Sequence, residues 1–78
     1  MKNESIRMFE NRLDILIYAA NLGRAFTATE ILEAVLDVQR DTVRRCLKDL
    51  THAGYVHRIS VTHYLATSKT KELFGVAA

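Results

Sequence analysis

Between residues 5 and 22 the chain places Ile6, Phe9, Leu13, Leu16, Ile17 and Ala20 at spacings of three and four. That period marks one face of an α-helix. Arg7, Glu10, Asn11 and Asp14 fall on the other side, and Gly23 supplies a C-terminal stop. The pattern predicts a first helix from Ser5 to Leu22. A second begins in "FTATEILEAVL", where Thr27 and Glu30 stand in the S/T-x-x-E relation of a capping box. Phe26 and Ile31 occupy the two positions of a hydrophobic staple. Ile31, Leu32, Val35 and Leu36 form the stripe of this helix, which spans two to three turns.

A third amphipathic pattern follows after only a few residues, in "DVQRDTVRRCLKDLTHAGY". At about 100° per residue, Val43, Cys46, Leu47, Leu50 and Ala53 gather in one sector, and charged and polar side chains fill the rest. A helix over residues 38–53 is predicted, ended by Gly54. Two helices joined by so short a turn cross steeply, as in a helix-turn-helix. Next, "YVHRISVTHYLA" is rich in β-branched and aromatic residues and predicts two short strands that reverse near Ser60. This reversal contains no Gly, Asn or Asp. The last segment, "TSKTKELFGVAA", predicts a short final helix capped by Thr67 or Ser68.

Composition changes this picture little. The chain has 78 residues, 49 % hydrophobic and 26 % charged, with no proline. One soluble domain over residues 1–78 is expected, of marginal stability at this size. Pairing with a second copy would bury more surface. The most apolar window, "LDILIYAANLG", is too short and interrupted to span a bilayer. No basic stretch followed by an apolar run marks a signal peptide. The single cysteine excludes an internal disulfide and a multi-cysteine zinc site. A reducing, cytoplasmic setting is expected.

Charge changes it more. Net charge is only +2, but residues 1–37 hold four basic groups against six acidic, and residues 38–78 hold seven against three. This split suggests an anionic partner for the second half. Within the third helix, Arg45 has Asp41 at i−4 and Asp49 at i+4. Such pairs stabilise a helix by about 0.2–0.5 kcal/mol each. Arg40, Arg44 and Lys48 are instead each other's i,i+4 neighbours. A like-charge column costs its own helix similar small amounts, and Arg40 in the first turn also opposes the helix dipole. Phosphates facing the column would offset both effects. In a helix-turn-helix the second helix enters the major groove and its N-terminal residues reach base edges. Gln39, Arg40, Asp41, Thr42 and Arg44 occupy that end. Gln39 could pair with adenine and Asp41 accept from cytosine. Asp41 is equally explained by the helix dipole and by pairing with Arg45.

The hairpin brings His57, Arg58 and His63 near the same end, and Arg58 is the better phosphate ligand. Cys46 projects with the core residues, as a small hydrophobe rather than a nucleophile. The three histidines lack metal-ligand spacing, and no glycine-rich phosphate loop is present. No enzyme activity, metal, cofactor or small-molecule ligand is expected.

The stretch "TATEILEAVLDVQRDTVRRCLKDLTHAGYVHR" resembles the winged helix-turn-helix of bacterial repressors, especially IclR-type and MarR-type DNA-binding domains. The pattern T-V-x-R-x-L-x-x-L-x-x-x-G-x-V is carried by Thr42, Val43, Arg45, Leu47, Leu50, Gly54 and Val56, and the likeness covers roughly residues 10–67. It implies a mainly α fold with a small β-hairpin: three helices, a two-stranded wing and a short C-terminal helix. It further implies double-stranded DNA binding by a homodimer acting as a small transcriptional regulator, a repressor. Gln39, Arg40, Asp41, Thr42, Arg44, Arg45 and Arg58 match recognition-helix and wing positions, and Lys48 continues the basic column. The chain departs from the pattern at Asp37, where glycine is common, at Gln39, a poor N-cap, and in its short wing. The large ligand-binding domain of IclR-type regulators has no counterpart here. The compact size fits a phage or plasmid regulator. Dimer contacts are expected from Tyr18, Leu22, Leu73 and Phe74. The competing expectations are a winged helix that docks on another protein, and a reader of double-stranded RNA or nonspecific architectural factor.

Overall fold

A computed structural model describes residues 3–76. The elements run α1 (Asn3–Leu22), β1 (Phe26–Thr27), α2 (Ala28–Ala34), α3 (Arg40–His52), β2 (Val56–Arg58), β3 (His63–Ala66) and α4 (Ser68–Leu73). The molecule is mainly helical, with a small three-stranded antiparallel sheet in the order β1-β3-β2. Its core is one cluster in which Ile15, Phe26, Ile31, Val43, Cys46 and Leu47 are completely buried. Every element through the hairpin contributes to that cluster.

The helix signals behave largely as their chemistry dictates. Thr27 caps α2, its Oγ1 accepting the Glu30 backbone N–H at 3.1 Å. Phe26 and Ile31, the expected staple residues, are both fully buried. Helix α3 starts two residues later than its apolar pattern suggested, because Gln39 is extended and makes no side-chain cap. It ends in a Schellman arrangement. Gly54 takes φ +85°, its N–H bonds the Thr51 carbonyl, and the Tyr55 N–H bonds the Leu50 carbonyl at 2.9 Å. Thr67 is the N-cap residue of α4, yet its hydroxyl makes no capping bond. It donates instead to the Gly54 and Tyr55 carbonyls, and buried Thr70 also donates to the Tyr55 carbonyl. Lys69 Nζ reaches the Ala53 carbonyl at 3.0 Å and lies over the Tyr55 ring. Helix α4 thereby clamps the junction between α3 and the hairpin.

Three expectations are corrected. First, α1 buries only Leu16 and Ala20 of the face its periodicity marked, with Leu13 half-buried. Ile15, Leu16, Ala19, Ala20 and even Asn11 are buried, while Ile6, Phe9 and Ile17 are 59, 58 and 43 % exposed. Eleven of the 20 residues of α1 are apolar, which is enough for two faces. Second, Tyr18, Leu22 and Phe74 pack partly against the core, so of the four residues expected at a dimer contact only Leu73 stands exposed. Third, Arg45 forms no ion pair among the described residues; Asp49 pairs with Arg12 of α1, at 3.4 Å. A partner from another helix has displaced the one predicted within the helix.

Strand β1 is an addition to the expected two-stranded hairpin. Phe26 pairs with Tyr64 and Thr27 with His63, which seats the hairpin on the start of α2. The Phe26 ring lies 6.1 Å from that of Tyr64 and 6.3 Å, edge-on, from that of Tyr18, spacings typical of favourable aromatic pairs. The end of α1 is fastened to α2 by a polar cluster. The Tyr18 hydroxyl donates to Glu30 at 3.0 Å, and Arg24 grips the same carboxylate with two N–H groups at 2.8 and 3.1 Å. Arg24 is the main reason the Glu30 carboxyl is held below its usual range.

Candidate functional site

Helix α3 leaves its apolar side in the core and turns a basic side toward the hairpin. Arg40, Arg44 and Lys48, with Thr51, form one wall of a groove of about 700 Å³. Arg58, Val61, Thr62 and Tyr64 of the hairpin form the facing wall, and Thr27, Ala28 and Thr29 close one end. His52 completes the lining. Four cations therefore face one cleft with no carboxylate among its lining residues. In a cleft with low-dielectric walls, such a one-sign arrangement raises the local concentration of anions.

The cations differ in how they are held. Arg40 donates to Thr29 Oγ1 at 3.0 Å, which steadies it over the start of α2 and leaves most of its five donors available. Arg44 and Lys48 are exposed and make no side-chain hydrogen bond among the described residues. Arg58 has a second task. Its guanidinium donates to the Ser60 and Val61 carbonyls at 3.2 and 2.6 Å and lies 5.7 Å from the centre of the Tyr64 ring. This explains how the hairpin turns without Gly, Asn or Asp. Arg58 ties the tip from one side, while the Ser60 hydroxyl accepts the Thr62 and His63 N–H groups from the other. The tip so formed exposes Ile59 and Val61, at 49 and 80 %.

Of the eight residues predicted as DNA-binding, Arg40, Arg44, Lys48 and Arg58 come together in the groove. Gln39, Asp41 and Arg45 are exposed and do not line it, and Thr42 is half-buried. Thus Arg45 is separated from the column by position on the helix, although not by the ion pairs that its neighbours suggested. His57 and His63 also lie outside the groove; the His63 ring contacts Thr62 Oγ1 at 2.8 Å. Sequence reasoning missed the hydroxyls and Tyr64. Thr51 continues the column at i+3 from Lys48 and could have been placed on it by the same wheel. Thr27, Thr29 and Thr62 reach the groove through β1–β3 pairing, a signal that local patterns do not carry.

Cys46 is fully buried, and burial pushes its thiol up from the ordinary value. Among the described residues no three His, Cys, Asp or Glu side chains gather as a metal site would require, and no helix is long and apolar enough to cross a membrane. The chain matches no protein-family model, no curated protein and no solved structure.

Proposed function

We propose that this chain is a winged helix-turn-helix that binds double-stranded DNA, acting as a small transcriptional regulator with α3 in the major groove. The observation that carries the proposal is the groove in which Arg40, Arg44, Lys48 and Arg58 converge without a carboxylate. Supporting it is the order of elements: a capped helix, a short connection, a basic helix, then a hairpin beside it. Phosphates of one strand occupy the groove between α3 and the hairpin. Gln39 and Asp41, at the N-terminal end of α3 and outside the groove, face base edges, where glutamine can pair with adenine and aspartate can accept from cytosine.

The test is duplex binding over a range of salt. Four phosphate contacts give a slope of log K against log salt of about −3.6, and removing one cation reduces it by about 1. Arg44→Ala and Lys48→Ala should each show that change, whereas Arg12→Ala and Arg24→Ala should not. Equal losses from all four would overturn the assignment. A selection from random duplexes then separates a sequence reader from a nonspecific binder. A second reading, docking on another protein, is favoured by Ile59 and Val61, apolar side chains exposed at the hairpin tip. It predicts weak duplex binding with no selected sequence.

A further inference from the structure

Helix α1 carries more apolar surface than its own core uses. Its inner side meets α3, α4 and β3, and there Ile15 and Ala19 are buried. On the far side Ile6, Phe9 and Ile17 form an exposed strip with half-buried Leu13 between them. Isolated exposed apolar residues are ordinary, but four in one row along a helix are a patch.

We infer that two copies of this chain pair through this strip, α1 against α1 and antiparallel about a twofold axis. Three observations select a second copy as the occupant. The first is the spacing. The strip reads 6, 9, 13, 17, which is nearly its own reverse. Run antiparallel, Ile6 meets Ile17 of the second copy and Phe9 meets Leu13, so no large apolar side chain is set against a charge. The second is charge. Arg7 and Asp14 share one shoulder of the strip, and a perpendicular twofold axis brings that shoulder against its own copy in reverse. Arg7 then lies across from Asp14 of the other copy, twice. Glu10, on the same shoulder and close to the axis, is a like-charge approach; Arg12, near the axis on the other shoulder, is already paired with Asp49. The third is area. The exposed strip offers roughly 300 Å² of apolar surface per copy, about half of what each partner of the smallest stable interfaces buries. The shoulders of a helix about 30 Å long supply the rest. This pairing does not depend on the DNA-binding reading, since the groove is lined by other elements.

The test is the mass in solution by light scattering and sedimentation from micromolar to millimolar concentration. The wild-type chain should move from one chain mass to two. Phe9→Lys and Ile17→Glu should remain monomeric throughout with an unchanged circular dichroism spectrum, because both sites are exposed in the single chain. Arg7→Asp should weaken the pair about threefold to tenfold, as loss of two surface ion pairs does. Adding Asp14→Arg to it should restore the wild-type affinity. Glu10→Gln should tighten the pair. A wild-type chain that stays monomeric overturns self-pairing and assigns the strip to a different partner. A dimer that survives Phe9→Lys places the contact on another face, and a charge swap that fails to restore affinity overturns the antiparallel register.

Discussion

Helices α1 and α3 pose opposite problems. Helix α3 has four buried apolar residues among 13, all on one side, and its remaining surface is almost wholly polar. Little in its pattern is ambiguous, and the buried set is the one its period marks, save Ala53, the exposed C-cap. Helix α1 is the more apolar and the harder to read. A period of 3.6 identifies residues that share a face, but it cannot choose when two faces qualify. In α1 the core takes the side with Ile15, Ala19 and Asn11 and only Leu16 and Ala20 of the better-marked stripe, while Ile6, Phe9 and Ile17 stay outside. Amphipathicity thus locates a buried side only where apolar residues are scarce. Where they are abundant, the choice is made by what the rest of the chain packs against.

The largest effect that could break this contrast is on stability. Leu47→Ala, on the fully buried side of α3, should cost about 2–5 kcal/mol. Phe9→Ala, on the exposed side of α1, should stay within about 0.5 kcal/mol when urea unfolding is measured at a concentration where the chain is monomeric. Similar losses at both positions would mean that the two faces of α1 have been exchanged. A smaller effect sharpens the account of how α1 is fastened. Glu30 has a folded-state pKa below its unfolded value, chiefly through Arg24. Its contribution is therefore present above the ordinary carboxylate value of about 4.3 and is lost as pH falls through the lower folded value. The urea midpoint of the wild-type chain should fall more steeply with acidification than that of Glu30→Gln. Parallel curves would show that the Tyr18–Glu30–Arg24 cluster contributes nothing. The smallest effects separate the two candidate partners of Asp49, Arg12 and Arg45. Asp49→Asn, which breaks the pair between α3 and α1, should cost about 0–1 kcal/mol. Arg45→Ala should be indistinguishable from wild type, and a loss larger than that of Asp49→Asn would restore the intrahelical pairing.

Most of the architecture was legible because its signals are local. Thr27 before an apolar run, Gly54 after one, and β-branched residues between 55 and 66 each fix a backbone state within a few residues. Strand β1 was not legible, since two residues cannot display an alternating pattern and their partner lies far along the chain. The candidate site divides in the same way. The column of Arg40, Arg44 and Lys48 follows from helical spacing alone. The facing wall depends on how the hairpin seats on α2, and the bonds from Arg58 to its own turn depend on a reversal whose geometry no residue type specified. The exchange of partners at Asp49 belongs with these, because a helix cannot anticipate which neighbour will offer a guanidinium.

Cys46 gives the contact between α1 and α3 a built-in clock. Its thiol is completely enclosed and disinclined to ionise, so a thiol reagent has nothing to attack while the helices remain together. At reagent concentrations where reclosing is faster than reaction, the labelling rate is the intrinsic rate multiplied by the fraction of molecules open at that seam. With a single cysteine in the chain, each modification event reports on one place. The free energy of local opening at the centre of the molecule can then be timed in the unaltered protein, without denaturant or substitution.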